Sequence, residues 1–219
     1  MRQLKPVYGG NYAFVGIGDH SANNLYPVLN YLHVPLKYIC CKSKDKIPLI
    51  EAAYPYVCAT TSLADILHDD DIKGVFVSAS PQSHFAIASE VIKSGKALFI
   101  EKPPCQSEDE LLQLISMRKE ANFPQVTVGL QKRNAPVIRI LKKKLQKCRG
   151  NMSYNLKYLT GAYPEGDALL DLFIHPLDYV TFLFGKAEVK FAEWVEHHTL
   201  MLVLKHKKAT GILELSTGY

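Results

Sequence analysis

Phe14-Val15-Gly16-Ile17-Gly18-Asp19-His20-Ser21 sets G-x-G-x-x-S between a short apolar run and an amphipathic stretch. The run over 12–17 is continuously apolar, as a strand buried on both faces requires. Leu25, Val28, Leu29 and Leu32 then recur at helical spacing, predicting a helix over 21–32. Small residues at such a junction each have a physical reason. The first glycine permits the tight turn, and the second lets the backbone approach a pyrophosphate. A third small residue lets the helix pack on the sheet with its first N–H groups facing the anion. Ser21 holds that third position, or Ala22 with a one-residue shift. An ordinary tight turn is the plain alternative, and the place of the motif at a first strand–helix junction favours nucleotide binding over it.

The same alternation continues downstream. Strands are expected over 36–41, 56–59, 74–79, 97–100 and 125–130. Between them fall helices over 47–54, from an N-cap at Ser62, over 82–93 up to Gly95, and over 107–121 behind the Ser107/Glu110 capping box. Asp69-Asp70-Asp71 reads as a solvated turn rather than a metal cluster. About six such units amount to an α/β, Rossmann-type doubly wound parallel sheet. After Pro136 the pattern changes to a basic helix over 137–147 and strand-period alternation over 151–160. A further helix follows, then short strands over 189–191, 199–204 and 210–215. This predicts a smaller, incomplete α+β domain with a mostly antiparallel sheet. The expected division is 1–135 for dinucleotide binding and 136–219 for substrate binding and oligomerisation.

Composition excludes several classes. A chain of 219 residues with 47% hydrophobic and 21% charged residues can build a core without disulfide staples and is neither disordered nor fibrous. Its formal charge of +5 suits an anionic ligand but is too scattered for nucleic acid. The five cysteines include no C-x-x-C pair, so reduced and mostly buried thiols are expected, with no metal site. Met1 to Pro6 carries no apolar stretch of a leader. The most apolar long segment, 168–185, contains Asp171, His175 and Asp178, against membrane insertion. A cytoplasmic location is the expectation.

The end of the second strand bears on cofactor choice. A carboxylate about 20 residues past the glycines would bind the ribose diol and select NAD. Here stand Cys41-Lys42-Ser43-Lys44, with the first acid at Asp45, so the cofactor is read as NAD(P) with a lean to NADP. The plain alternative is a solvated basic loop.

Ser80-Pro81-x-x-His84, Phe99-Ile100-Glu101-Lys102-Pro103, Gly129-Leu130-Gln131-Lys132-Arg133 and Asp171-x-x-x-His175 complete the pattern. With the glycine turn, these resemble the Gfo/Idh/MocA oxidoreductases, NAD(P)-dependent dehydrogenases of sugars and cyclitols, over about 12–185. The segment 173–185 is similar to members acting in sugar-nucleotide and surface-polysaccharide pathways. The resemblance implies a cis bond before Pro103. It implies cofactor contacts at Gly16, Gly18, Asp19, His20, Ser21, Lys42, Ser43, Ser80, Pro81, His84, Glu101, Lys102 and Gln131. It assigns catalysis to Lys102, His175 and Asp171, and substrate contact to Arg133, Asp171 and His175.

The residues support these roles on their own terms. Lys102 sits at a strand's carboxyl end, the ligand edge of open α/β sheets, where an ammonium could stabilise an alkoxide. Asp171 and His175 are helical neighbours in an apolar, buried stretch, where polar groups must be partnered or line a cavity. His175 could act as general base with Asp171 orienting it, and Pro176 should kink the helix beside it. Asp178 fits a supporting contact.

Lys142, Lys143, Lys144, Lys147 and Arg149 read as the solvated face of a helix whose buried side is Val137, Ile138, Leu141 and Leu145. Trp194, His197 and His198 lie on a strand pattern with no ligand set for a metal. The expected activity is hydride transfer between NAD(P) and a secondary alcohol or ketone of a sugar, cyclitol or sugar nucleotide. The rivals are a non-enzymatic NAD(P)-binding or regulatory relative and an NADPH-dependent reductase of a non-sugar substrate. Family members continue past the third strand of the second sheet, whereas this chain stops at Tyr219. An unfinished sheet has an exposed edge and an apolar face, which predicts a homo-oligomer through the second-domain sheet.

Overall fold

A computed structural model of the 219-residue chain describes residues 8–163 and 166–219. The N-terminal stretch read as lacking a leader lies outside them. The chain divides into two units, 1–129 and 130–219. The expected boundary at 135 therefore falls six residues late. Arg133 explains the difference, because its side chain is tied to Asp178 of the second unit.

In the first unit, β1 (Asn11–Val15) leads through a π turn (Ser21–Leu25) into α1 (Tyr26–Tyr31). Then come β2 (Leu36–Cys40), α2 (Ile47–Ala53), β3 (Cys58–Thr60), α3 (Leu63–Leu67) and β4 (Ile72–Val77). The unit closes with α4 (Pro81–Lys93), β5 (Ala97–Ile100), α5 (Glu108–Glu120) and β6 (Val126–Val128). The strand order is β3-β2-β1-β4-β5-β6, all parallel. Alternation along β1 sends Ala13 and Val15 into one core with Val75, Val77, Ala88, Ile92 and Ile100. Phe14 points to the other face, among Tyr26, Leu29, Ile39 and Ile50. Each fully buried side chain of this kind contributes roughly 1.5–3 kcal/mol, so both faces stabilise the sheet. The end signals are those expected: Ser62 Oγ accepts from Asp65 N–H at 3.3 Å, and Ser107 Oγ from Glu110 N–H at 3.2 Å.

In the second unit, α6 (Pro136–Leu145) precedes β7 (Met152–Leu159), α7 (Ile174–Phe184), β8 (Ala187–Val195), β9 (Thr199–His206) and β10 (Ala209–Ser216). The sheet order is β7-β10-β9-β8, with only β7 and β10 parallel. Phe173, Val180, Leu200, Leu202, Leu204, Leu213 and Leu215 form its core. His206 is buried and bonded at both nitrogens. Its Nδ1–H donates to Gly185 O at 2.7 Å, leaving Nε2 to accept from Tyr154 O–H at 2.7 Å.

Several expectations are corrected here. Val137 and Leu141, assigned to a buried side of α6, are 68% and 38% exposed. That helix is tied down through Lys142 instead, whose ammonium donates to the carbonyls of Phe182 and Leu183 at the end of α7. His197 and His198 lie in the turn joining β8 to β9, where Glu196 and His197 have positive φ, rather than on a strand. Of the five cysteines, Cys58 and Cys148 are exposed, and none is in a disulfide. Among the described residues no helix is long and apolar enough to cross a membrane.

Candidate active site

The glycine turn is held by its carbonyl oxygens. Gly16 O accepts from Tyr26 O–H at 3.0 Å, Ile17 O from Lys46 Nζ at 3.2 Å, and Gly18 O from Ser21 O–H at 2.9 Å. Ser21 is 1% exposed, and its Oγ also accepts from Gly18 N–H at 2.9 Å. A serine thus does more than pack in the third small position; it closes the turn. Neither Tyr26 nor Lys46 was foreseen. Burial drives the Tyr26 phenol far above its ordinary pKa, keeping it a neutral donor.

The two glycines differ in what demands them. Gly16 has φ of 109°, and a Cβ there would lie 2.1 Å from Ser78 O on the adjoining strand end. At Gly18 a Cβ would meet nothing within 4 Å. The protein's own packing does not call for glycine at 18. Open space above an exposed turn backbone is what close approach of a pyrophosphate requires, so these residues fit a dinucleotide.

Glu101 and Lys102 follow β5, and the Lys102–Pro103 bond is cis, as the resemblance implies. Glu101 is 8% exposed; its Oε2 accepts from Lys102 N–H at 3.2 Å, and its Oε1 lies 3.8 Å from His20 Nε2. A Cβ at Gly129 would come within 2.7 Å of the same carboxylate, so a side chain there would have to displace it. The fold therefore brings the glycine turn and Glu101-Lys102 to one edge of the sheet, at the carboxyl ends of β1 and β5. Asp19 and Ser80 are exposed at the same edge, and Pro81 opens α4.

His84 is placed differently from the expectation. It is 1% exposed, and its Nδ1–H donates to Pro103 O at 2.6 Å. The ring thus supports the segment that follows Lys102. At the end of β2, Lys42 and Ser43 are exposed, while Cys41 is buried with its thiol directed to Ser43 O at 3.2 Å. The Ser43 hydroxyl, with Asp45's own N–H, holds the Asp45 carboxyl below its ordinary pKa.

In the second unit, Ile174 N–H bonds back to Leu169 O, five residues earlier, in a π turn (Leu169–Phe173) that holds Asp171. The irregularity expected at Pro176 thus sits just before His175. Asp167 opens this segment by accepting from Leu169 N–H at 2.8 Å and Leu170 N–H at 3.2 Å. Asp171 Oδ2 accepts from Tyr163 O–H at 3.1 Å, a partner with no signal in the sequence. His175 is 8% exposed. Arg133, expected to meet substrate, grips Asp178: its Nε donates to both carboxylate oxygens at 2.9 and 2.7 Å, with Nη2 paired as well. Its guanidinium also covers Phe182. Gln131 is exposed at the start of the same short 3₁₀ turn, Gln131–Asn134, that carries Arg133.

A doubly wound sheet with polar and glycine residues gathered at its strand carboxyl ends is the architecture of dinucleotide-binding proteins. The family described as "Oxidoreductase family, NAD-binding Rossmann fold" (Gfo/Idh/MocA) matches residues 10–130, more than half the chain, and the chain belongs to it. YceM of Salmonella typhimurium, named as an oxidoreductase, is 29% identical over 175 residues, covering 78% of this chain and 55% of YceM. The chain spans about half the length of the curated relatives it matches. A probable dehydrogenase from Thermotoga maritima superposes with a TM-score of 0.83 at 19% identity, over 95% of this chain and 69% of that one. The WlbA (WbpB) dehydrogenase from Thermus thermophilus, solved with NAD and UDP-GlcNAcA, gives 0.80 at 18% identity, over 95% and 74%.

Proposed function

We propose that the protein transfers a hydride between NAD(P), with a lean to NADP, and a secondary alcohol or ketone of a sugar, cyclitol or sugar nucleotide, in surface-polysaccharide synthesis. The observation that carries the reading is the meeting of Glu101-Lys102 with the glycine turn, marked by the 3.8 Å approach of His20 to Glu101. The nicotinamide, when bound, supplies the hydride chemistry. The turn backbone at Gly18 to Ser21 would hold the pyrophosphate, and Glu101 fixes the backbone of Lys102. The Lys102 ammonium stabilises the alkoxide that develops on the substrate oxygen. His175 takes or returns the hydroxyl proton, and Asp171, steadied by Tyr163, holds the substrate or the imidazole. The sugar-nucleotide substrate class draws support from the Thermus thermophilus WlbA structure, which holds UDP-GlcNAcA.

Titration with NADH and NADPH, followed by assays on a panel of sugars, cyclitols and sugar nucleotides, tests this reading. Lys102→Ala and His175→Ala should each lower turnover by about 10²–10⁴-fold while dinucleotide affinity stays within about threefold. Absence of binding by either dinucleotide would overturn it. Binding without turnover of any alcohol would favour a regulatory role.

A second reading concerns assembly. Phe191, Val203 and Ile212 line up across β8, β9 and β10 on the sheet face away from Phe173 and Leu213, with Phe191 and Ile212 47% and 49% exposed. This apolar stripe supports self-association through the second sheet. Sedimentation should give a dimer or larger species for the wild type and a smaller one for Ile212→Glu.

A further inference from the structure

Resting on the dinucleotide reading above, we propose that Lys46 is the residue that recognises the 2′-phosphate of NADP(H), with Lys42 and Lys44 supplying the surrounding positive field. The adenosine ribose of a dinucleotide lies between the first glycine turn and the end of the second strand, where a carboxylate selects the free diol and a cation accommodates the phosphate. The first position past β2 is Cys41, which is 3% exposed with its thiol turned to Ser43 O. A buried thiol offers a diol nothing. The only carboxylate among residues 41–46 is Asp45, engaged by the Ser43 hydroxyl. Three lysines stand against that one acid.

Lys46 is set apart from the other two by geometry. It closes the 3₁₀ turn Lys44–Lys46, is exposed, and sends its Nζ across to Ile17 O at 3.2 Å. It therefore joins the β2 end to the glycine turn and sets its Nζ where the two meet. An ammonium has three N–H donors, and the bond to Ile17 uses one, leaving two for phosphate oxygens. Lys42 and Lys44 are exposed on the same segment, and no hydrogen bond from either to the turn is found among the described residues.

Calorimetric titration of the 219-residue chain with NADPH, NADH, 2′,5′-ADP and ADP tests the assignment without any turnover. Wild type should prefer NADPH to NADH, and 2′,5′-ADP to ADP, by about tenfold or more. Lys46→Gln should weaken NADPH and 2′,5′-ADP about tenfold more than it weakens NADH and ADP; Lys46→Arg should keep the preferences. Raising salt should weaken NADPH more than NADH in wild type and equally in Lys46→Gln. Parallel losses for NADH and NADPH would mean that Lys46 only tethers the turn, and would overturn the proposal. Tight NADH binding with no preference for NADPH would overturn it while leaving the dinucleotide reading intact. Failure of every nucleotide to bind would overturn both.

Discussion

The imidazole of His84, on α4, donates from Nδ1 to the carbonyl of Pro103 at 2.6 Å, with 1% of the histidine exposed. A residue in the first turns of α4 thus holds the segment carrying Lys102, and a buried carbonyl depends on it. His84→Ala leaves that carbonyl without its donor, at a cost of about 1–3 kcal/mol in denaturant unfolding. If the bond positions Lys102, kcat should fall by more than the dinucleotide Kd rises, and His84→Asn should recover part of both losses. Unchanged stability in His84→Ala would remove this role.

Gly16 and Gly18 separate folding from binding. Gly16→Ala forces a side chain to within 2.1 Å of Ser78 O at φ of 109° and should destabilise the first unit by at least about 1–3 kcal/mol. Gly18→Ala meets no protein atom within 4 Å, so its melting temperature should stay within a degree or two of wild type. Its dinucleotide affinity should nevertheless drop by about tenfold or more. A Gly18→Ala protein that binds dinucleotide normally would show that the open space is not used.

Arg133 and Asp178 should behave as one unit. A double-mutant cycle with Arg133→Ala and Asp178→Ala in chemical denaturation should give a coupling of about 0.5–3 kcal/mol. A coupling near zero would return Arg133 to the pool of side chains available to a substrate.

Acid should destabilise the first unit. Thr60 O–H donates to Asp65 at 2.7 Å, and the Lys37 ammonium lies 2.6 Å from Asp69; each partner holds its carboxyl below the ordinary pKa. A depressed folded-state pKa gives stability that is complete above the unfolded value of about 4 and is lost as pH falls through the folded one. The melting temperature should therefore be nearly level from about pH 7 to 5 and fall below about pH 4. Asp69→Asn should melt lower at neutral pH and show a shallower acid limb. An acid limb of unchanged depth in that variant would exclude Asp69 as a contributor.

The local features were legible in the chain because local chemistry determines them. The apolar run over 12–17, the N-cap at Ser62, the capping residue at Ser107 and the periodicity of 21–32 depend on residues a few positions apart. The Glu-Lys-Pro segment was legible as well, because it sits at the end of an easily read strand. By contrast, β8 reaches from Ala187 to Val195, well beyond the three residues expected, because pairing with β9 rather than local propensity sets its length. Val137 and Leu141 were misplaced for a related reason: helical periodicity marks an apolar side without saying whether anything covers it.

Sequence by itself determined that a glycine turn heads a series of strand–helix units, and it nominated Lys102, Asp171 and His175. Only tertiary structure decided what their neighbours do. His84 supports Pro103 from 19 positions away, Lys46 reaches Ile17 across 29, and Arg133 spends its charge on Asp178 across 45. Strand order brings such groups together, and strand order follows from burying both faces of the sheet at once. A hydrogen bond between side chain and backbone so far apart leaves no period in the sequence. It exists only once the core has placed its two ends.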